Sequence, residues 1–339
     1  MKKTIKIKYV DFWGRLVDIP VDTMFHKVLE DHYNIEISDE PDYIICSCFG
    51  EDYKNYDCVR IMLIGENFST DWNEYDYGID FDDYSFLDRH FHMINNAFIN
   101  MDYASVDKMR EKHLHAEQSF KEKTKFCSYI YSNPIPFRDA FFDRLSQYKP
   151  VTAGGKCKRK LEDINGNANS SKDWNTKSMR EGVFEKIEIE KSHKFSIAFE
   201  NSSREGYITE KLVDSFAAGT IPIYYGAPDV TKYFNEKAMV IIKDEQDVEN
   251  AIERIKEIDQ NDELYLQMLK EKAVLDDELF DQYQSEFEKF VCHIFDQPLE
   301  KAYRKTEYTR RIIHVVKQPE TKKTRLKNKI KKLIKIKES

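Results

Sequence analysis

The stretch KFSIAFENSSREGYITEKLVDSFAAGTIPIYYGAPDV, running from Lys194 to Val230, decides how the chain is read. Phe195, Ile197, Ala198 and Phe199 make an apolar strand that stops at Glu200 and Asn201. A polar, glycine-bearing turn with Tyr207 follows, and Thr209 then stands where a helix needs its N-cap. Leu212, Val213, Phe216 and Ala217 share one helical face, Gly219 suits the C-terminal stop, and a second strand follows before a Gly/Pro turn. Strand, crossover helix and strand predict a parallel sheet. In such sheets the crevice outside the strands' C-terminal ends faces helix N-termini and takes anionic ligands. Glu210 and Lys211 fall in the first helical turn, where Glu210 can meet hydroxyls and Lys211 phosphate oxygens. For Glu210 the plain alternative is simple complement to the helix dipole.

The same rhythm runs through the rest of the chain. Strands are expected at Thr4–Phe12, Asn34–Ser38, Asp42–Cys48, Val59–Gly65 and Tyr77–Phe81, with a helix over Met24–His32. The charged segment Ser119–Lys125 reads as a linker. Beyond it come a strand (Phe126–Ser132), a helix opened by Pro136 and running to Lys149, and Val151–Lys156 with its glycine pair. A long polar loop is expected from Lys158 to Gly182. After the opening stretch come a strand at Ala238–Lys243 and helices near Asp247–Ile258, Glu263–Leu275 and Gln282–Asp296. These elements predict an α/β protein of two doubly wound, Rossmann-like domains facing a cleft. The expected division is residues 1–122, residues 123–299, and a linker with a basic tail over 300–339.

The chain has 339 residues and a net charge of −8. From Thr321 to Ser339, nine lysines and arginines stand against one glutamate, so that tail carries +8 and the body −16. An acidic body repels a polyanion, which argues against nucleic-acid binding. Leu326, Ile330, Leu333 and Ile334 share a helical face in the tail, as expected of a basic amphipathic helix on an anionic membrane surface. The opening MKKTIKIKYV alternates like a strand rather than forming an apolar signal core, so a cytoplasmic protein, peripheral on the inner membrane face, is expected. The six cysteines form no tight framework and are expected to be reduced.

FENS, GY-TEK and AGTIPIYYG together resemble the donor-binding signature of the α-1,3-fucosyltransferases, glycosyltransferase family 10. The resemblance implies the GT-B fold, GDP-fucose as donor, an oligosaccharide acceptor and no required metal cofactor. It implies phosphate roles for Lys211 and for Arg138, which sits in SNPIPFRDAFF; from position alone Arg138 could equally be a surface helix arginine. Asn201, Tyr207 and Glu210 become donor contacts. Gly154 and Gly155 let backbone amides approach a phosphate or base, with a tight turn as the plain alternative. Bacterial members share a GEN segment followed by DY-I-FD, which here makes Glu66 the general base, at the end of an apolar strand.

The resemblance also implies inverting α-1,3 transfer to the GlcNAc 3-OH of an N-acetyllactosamine-type glycan, giving Lewis-x-like products. Three alternatives stand beside this reading. One is another nucleotide sugar, or a 1,4 linkage, on the same architecture. A second is a metal-dependent enzyme using the D-x-D of Asp80 and Asp82. The third is an inactive homologue that binds a glycan or nucleotide.

Overall fold

The computed structural model describes residues 2–12, 23–98, 103–131, 134–155 and 179–305. The first sheet contains β1 (Thr4–Val10), β2 (Asn34–Ile37), β3 (Tyr43–Cys46), β4 (Val59–Leu63), β5 (Tyr77–Asp80) and β6 (His90–His92), in the order β2-β1-β3-β4-β5-β6. The second contains β7 (Lys125–Tyr131), β8 (Val151–Gly155), β9 (His193–Phe199), β10 (Ile221–Tyr225) and β11 (Val240–Ile241), in the order β11-β10-β9-β7-β8. Every ladder in both sheets is parallel. Strands β3 and β5 are buried along their whole length, and β3 reads accordingly as a continuous apolar run.

In each sheet the first strand lies between the second and the third. The connections therefore diverge at one point, between β1 and β3 in one sheet and between β7 and β9 in the other. Those switch points are where doubly wound sheets take ligands.

The helices are α1 (Met24–His32), α2 (Tyr103–Glu111), α3 (Ala116–Glu122), α4 (Pro136–Leu145), α5 (Met179–Glu190), α6 (Glu210–Ala217), α7 (Val248–Gln260), α8 (Asp262–Lys270), α9 (Asp277–Asp296) and α10 (Leu299–Ala302). Among the described residues no helix is long and apolar enough to cross a membrane. Cys46, Cys48, Cys58, Cys127 and Cys292 form no disulfide; Cys157 lies outside the described residues.

Several expectations need correction. The segment Ser119–Lys125 is not a linker: α3 occupies it to Glu122, and β7 begins at Lys125. Lys123 between them is half-buried, donating to the carbonyls of Lys191 (2.7 Å) and Ala218 (3.3 Å), the orphan acceptors at the ends of α5 and α6. Helix α5 claims the end of the loop expected over Lys158–Gly182, and residues 156–178 lie outside the described residues. Gly154 and Gly155 are strand residues paired with Ile130 and Tyr131, not a tight turn. Strand β6 and helix α2 carry too short or too polar a pattern to be read from sequence.

The packing also departs from divisions at 122 and 299. Val106 and Met109 of α2 share a core with Leu212, Val213 and Phe216 of α6, so this segment packs on the second unit. Helix α9 begins in that same core with Phe280 and Tyr283, then carries Phe287, Val291, Ile294 and Phe295 into the core of the first sheet, beside Phe25 and Tyr43.

Candidate functional site: a charged cleft between the two sheets

The switch point of the second sheet is built by Arg138. Pro136 opens α4 at its first position, placing Arg138 in the first turn beside the β9 terminus. Arg138 is 2 % exposed, so it is no surface residue. Its Nη2 donates to the Phe199 carbonyl (2.7 Å) and to Asn201 Oδ1 (3.1 Å), and its guanidinium lies over the Tyr131 ring at 5.5 Å. Burial lowers its pKa from the ordinary arginine range.

Helix α6 starts at Glu210 and is capped by the Thr209 hydroxyl, which accepts from Lys211 N. Glu200, at the end of β9, holds that cap. Its two oxygens accept from Thr209 N (2.7 Å) and Thr209 Oγ1 (2.6 Å). Lys211 Nζ then lies 3.4 Å from Glu200, 2.9 Å from Thr209 Oγ1 and 3.3 Å from Glu210. Burial alone would lower the Lys211 pKa, but the two carboxylates outweigh it and raise it. Burial likewise favours the neutral form of Glu210, yet Lys211 and Lys186 bring its pKa down to about 2. The site therefore presents a fixed ammonium and a guanidinium on the face of one sheet, which suits a diphosphate.

Glu66 reaches this cluster from the other sheet. It follows β4 and is half-buried. Burial raises its pKa above the usual 4.5; Lys211 opposes that rise, Glu210 and Glu200 add to it, and a hydrogen bond from Tyr207 opposes it. The base candidate and the donor-side candidates are thus brought together across the cleft. Gly154 and Gly155 sit at the far edge strand, beside the end of β7.

The turn of the signature stretch is what joins the halves. Asn67 Nδ2 donates to Ser202 Oγ (2.5 Å), and Arg204 donates to Ser69 Oγ (3.0 Å) while pairing with Asp82 (3.3 Å). Tyr207 packs edge-on against Phe81 with ring centroids 5.0 Å apart. Gly206 has φ +76°, and a Cβ there would stand 2.2 Å from the Phe81 carbonyl oxygen. Only glycine allows the two backbones to meet so closely. Asp229 accepts from Gly206 N at 2.8 Å and fixes the turn from below.

The D-x-D pair is spent on structure. Asp80 is fully buried and accepts from Thr70 N (2.9 Å), Thr70 Oγ1 (2.5 Å), Asp82 N (3.0 Å) and His90 Nε2 (2.9 Å). Asp82 faces Arg204. Among the described residues no group of three or more His, Cys, Asp or Glu side chains is arranged to hold a metal ion. Glu200, Arg204 and Asn96 were not singled out from the sequence. A carboxylate at a strand end nine residues before a capping threonine was the available signal for Glu200. Arg204 and Asn96 act across the cleft and leave no local pattern.

The description "Glycosyltransferase family 10 (fucosyltransferase) C-term" matches residues 120–318, and that of the "Alpha-(1,3)-fucosyltransferase FucT N-terminal domain" matches residues 7–99. The chain belongs to glycosyltransferase family 10. Among relatives of this family, the Alpha-(1,3)-fucosyltransferase FucT of Helicobacter pylori is 30% identical over 308 residues, 80% of this chain and 60% of that protein. The chain therefore spans about 60% of that relative's length. GDP-fucose protein O-fucosyltransferase 3 of Xenopus tropicalis is 32% identical over 148 residues, 43% of this chain and 30% of that protein. A crystal structure of an α1,3-fucosyltransferase superposes with a TM-score of 0.67 at 26% identity, covering 86% of this chain and 90% of that one. A crystal structure of α1,3-fucosyltransferase with GDP-fucose gives a TM-score of 0.63 at 25% identity, covering 86% of this chain and 91% of that one. The two doubly wound sheets are those of the GT-B fold.

Proposed function

We propose that the chain transfers L-fucose from GDP-β-L-fucose to a sugar hydroxyl, with α1,3 linkage and inversion at the anomeric carbon. The second sheet holds the donor and the first holds the acceptor. Arg138 and Lys211 balance the leaving diphosphate, Glu210 takes the ribose hydroxyls, and Asn201, Tyr207, Gly154 and Gly155 complete the donor contacts. Glu66 takes the proton from the attacking hydroxyl. The transition state is oxocarbenium-like, so placed charge does most of the catalysis.

The observation that carries this reading is the meeting of the two sheets at Lys211: Asn96 from the first bonds Glu210 Oε2 (3.0 Å), Lys211 Nζ lies 3.3 Å from the same carboxylate, and Lys211 is near enough to Glu66 to hold its pKa down. A carboxylate with a raised pKa, facing Lys211, one of the two cations fit for a diphosphate, is the arrangement a single displacement needs. Because those cations already supply the positive charge, the reaction requires no metal. The preferred acceptor is the GlcNAc 3-OH of an N-acetyllactosamine-type glycan, in surface-glycan or lipopolysaccharide assembly, with a Lewis-x-like product. The partial match to protein O-fucosyltransferases supports a second reading, in which the acceptor is a serine or threonine hydroxyl.

The decisive experiment incubates purified protein with GDP-fucose and a panel of glycans and a serine/threonine peptide, with and without excess EDTA, and determines product linkage. An α1,3-fucosylated N-acetyllactosamine formed in EDTA is expected. Transfer only to peptide would replace the acceptor, loss in EDTA would restore a metal, and GDP binding without any transfer would leave an inactive binding protein.

The basic tail, Thr321–Ser339, lies outside the described residues. It is the proposed contact with an anionic membrane surface, and would place the enzyme peripherally on the inner face.

A further inference from the structure

Two asparagines of the first sheet stand close to Glu66 and have no part in the roles above. Asn67 follows it in sequence. Asn96 lies in a single 3-10 turn after β6, and its Nδ2 is 4.0 Å from where a Cβ on Gly65 would stand. Both send their amide NH₂ across the cleft, Asn96 to Glu210 Oε2 (3.0 Å) and Asn67 to Ser202 Oγ (2.5 Å). In each, Oδ1 is buried with no hydrogen-bond partner among the described residues. Asn96 is 7 % exposed.

The neighbouring Asn95 shows the contrast. Its Nδ2 donates to the Thr209 carbonyl (2.9 Å) and its Oδ1 accepts from Ala97 N (2.8 Å), so both ends are used. Turning the Asn96 amide over would set its carbonyl against a carboxylate that can only accept, so Glu210 fixes the orientation with Oδ1 left over. A buried carbonyl without a partner is destabilising, and buried polar groups are otherwise nearly always paired. Such a cost is retained where a ligand supplies the missing donor.

We propose that Asn96 Oδ1 accepts a hydrogen bond from a neutral sugar hydroxyl of the bound substrate, with Asn67 Oδ1 as a second acceptor beside Glu66. The inference rests on the glycosyl-transfer reading above. A carbonyl oxygen accepts only, so the matching ligand group must donate. That excludes phosphate, carboxylate and ring oxygens; with the ribose hydroxyls assigned to Glu210 above, it leaves hydroxyls of either the fucosyl ring or the acceptor glycan. Asn96 thereby joins two tasks: its NH₂ steadies Glu210 on the donor side while its carbonyl reads the sugar.

The test is a cycle of Asn96→Ala against substrates lacking one hydroxyl each. Steady-state kcat/KM is measured with GDP-fucose and N-acetyllactosamine. The measurement is then repeated with donors deoxygenated singly on the fucosyl ring, and with acceptors deoxygenated singly at non-reacting positions. Asn96→Ala should lower kcat/KM by ~10-fold or more with the parent substrates. The penalty should vanish with the one analogue lacking the hydroxyl that Asn96 meets. A deoxy donor would identify the fucosyl ring, and a deoxy acceptor the glycan. An equal penalty on every analogue, or no penalty at all, overturns the proposal. Should Asn96→Ala fail to fold, Asn96→Ser keeps a polar group toward Glu210 and carries the same cycle. Asn67→Ala tests the second acceptor in the same way. Wild-type protein that transfers no fucose would refute the reading beneath; active wild type with a flat analogue response refutes the role of Asn96 alone.

Discussion

Gly206→Ala is the most informative perturbation of the cleft. The residue has φ +76°, and its added Cβ would stand 2.2 Å from the Phe81 carbonyl oxygen. A C···O contact settles near ~3.3–3.6 Å, so the turn and the β5 end must part by roughly 1 Å. The obstacle is backbone on both sides and no side chain can swing away. The left-handed conformation itself adds ~1–2 kcal/mol for a residue with a Cβ. Phe81 follows β5, next to β4, whose end carries Glu66, while Gly206 precedes Tyr207 and leads into α6. The displacement therefore separates the base from Lys211 and Tyr207. A misplacement of about 1 Å costs ~10²-fold in rate. We expect kcat for fucose transfer to fall by about that factor, with GDP affinity near wild type because Arg138, Asn201 and Lys211 all stand on the second sheet. Turnover assays beside GDP titration and thermal melts would show it. Near-wild-type turnover in a folded Gly206→Ala protein would refute the argument that this contact sets the alignment of base and donor.

Other expectations concern the base, the clasp and the tail. Glu66→Gln should cut turnover by ~10²–10⁴ while GDP still binds. In the wild type, activity should fall as pH drops through the raised pKa of Glu66, so the acidic limb of kcat/KM should lie above 4.5. Because Lys211 holds that pKa down, Lys211→Met should move the limb to higher pH and weaken donor binding; an unmoved limb would mean the titrating group is not Glu66. Arg204→Ala and Asp82→Ala should be non-additive in kcat, with a coupling of ~0.5–1 kcal/mol as for a partly exposed ion pair; additive effects would dissolve the clasp. Removing Thr321–Ser339 should release the protein from anionic vesicles in a flotation assay without loss of activity on soluble acceptors, and retained flotation would argue against the tail as anchor.

The local parts of this site were legible and the relational parts were not. The strand, cap and helix from Phe195 to Ala217 follow from periodicity and one threonine, and the structure reproduces them. Met24–His32 was legible for the same reason. The segment around Ser119–Lys125 misled because its charges read as solvated, whereas Lys123 spends its ammonium on two helix ends and Phe120 packs against the second core. Position alone could not distinguish a buried Arg138 from a surface one, since its partners, the Phe199 carbonyl and Asn201, lie on another strand. Asp80 carried a metal-like spacing, yet its acceptors are filled by Thr70, Asp82 and His90, contacts no short motif encodes. Asn96 and Arg204 work only once both sheets are in place.

Helix α9 has a mechanical consequence. Its first turns are embedded with α6 and its last turns with α1, so the chain passes between the two halves once on the way out and again on the way back. Two crossings tie the halves together, and any motion that parts them would strain the packing of Phe280 in the core of α6 or of Phe287 against Phe25. A protein cut after the second sheet would strip a helix from the first one. Split versions should therefore reassemble only when α9 travels whole with one fragment.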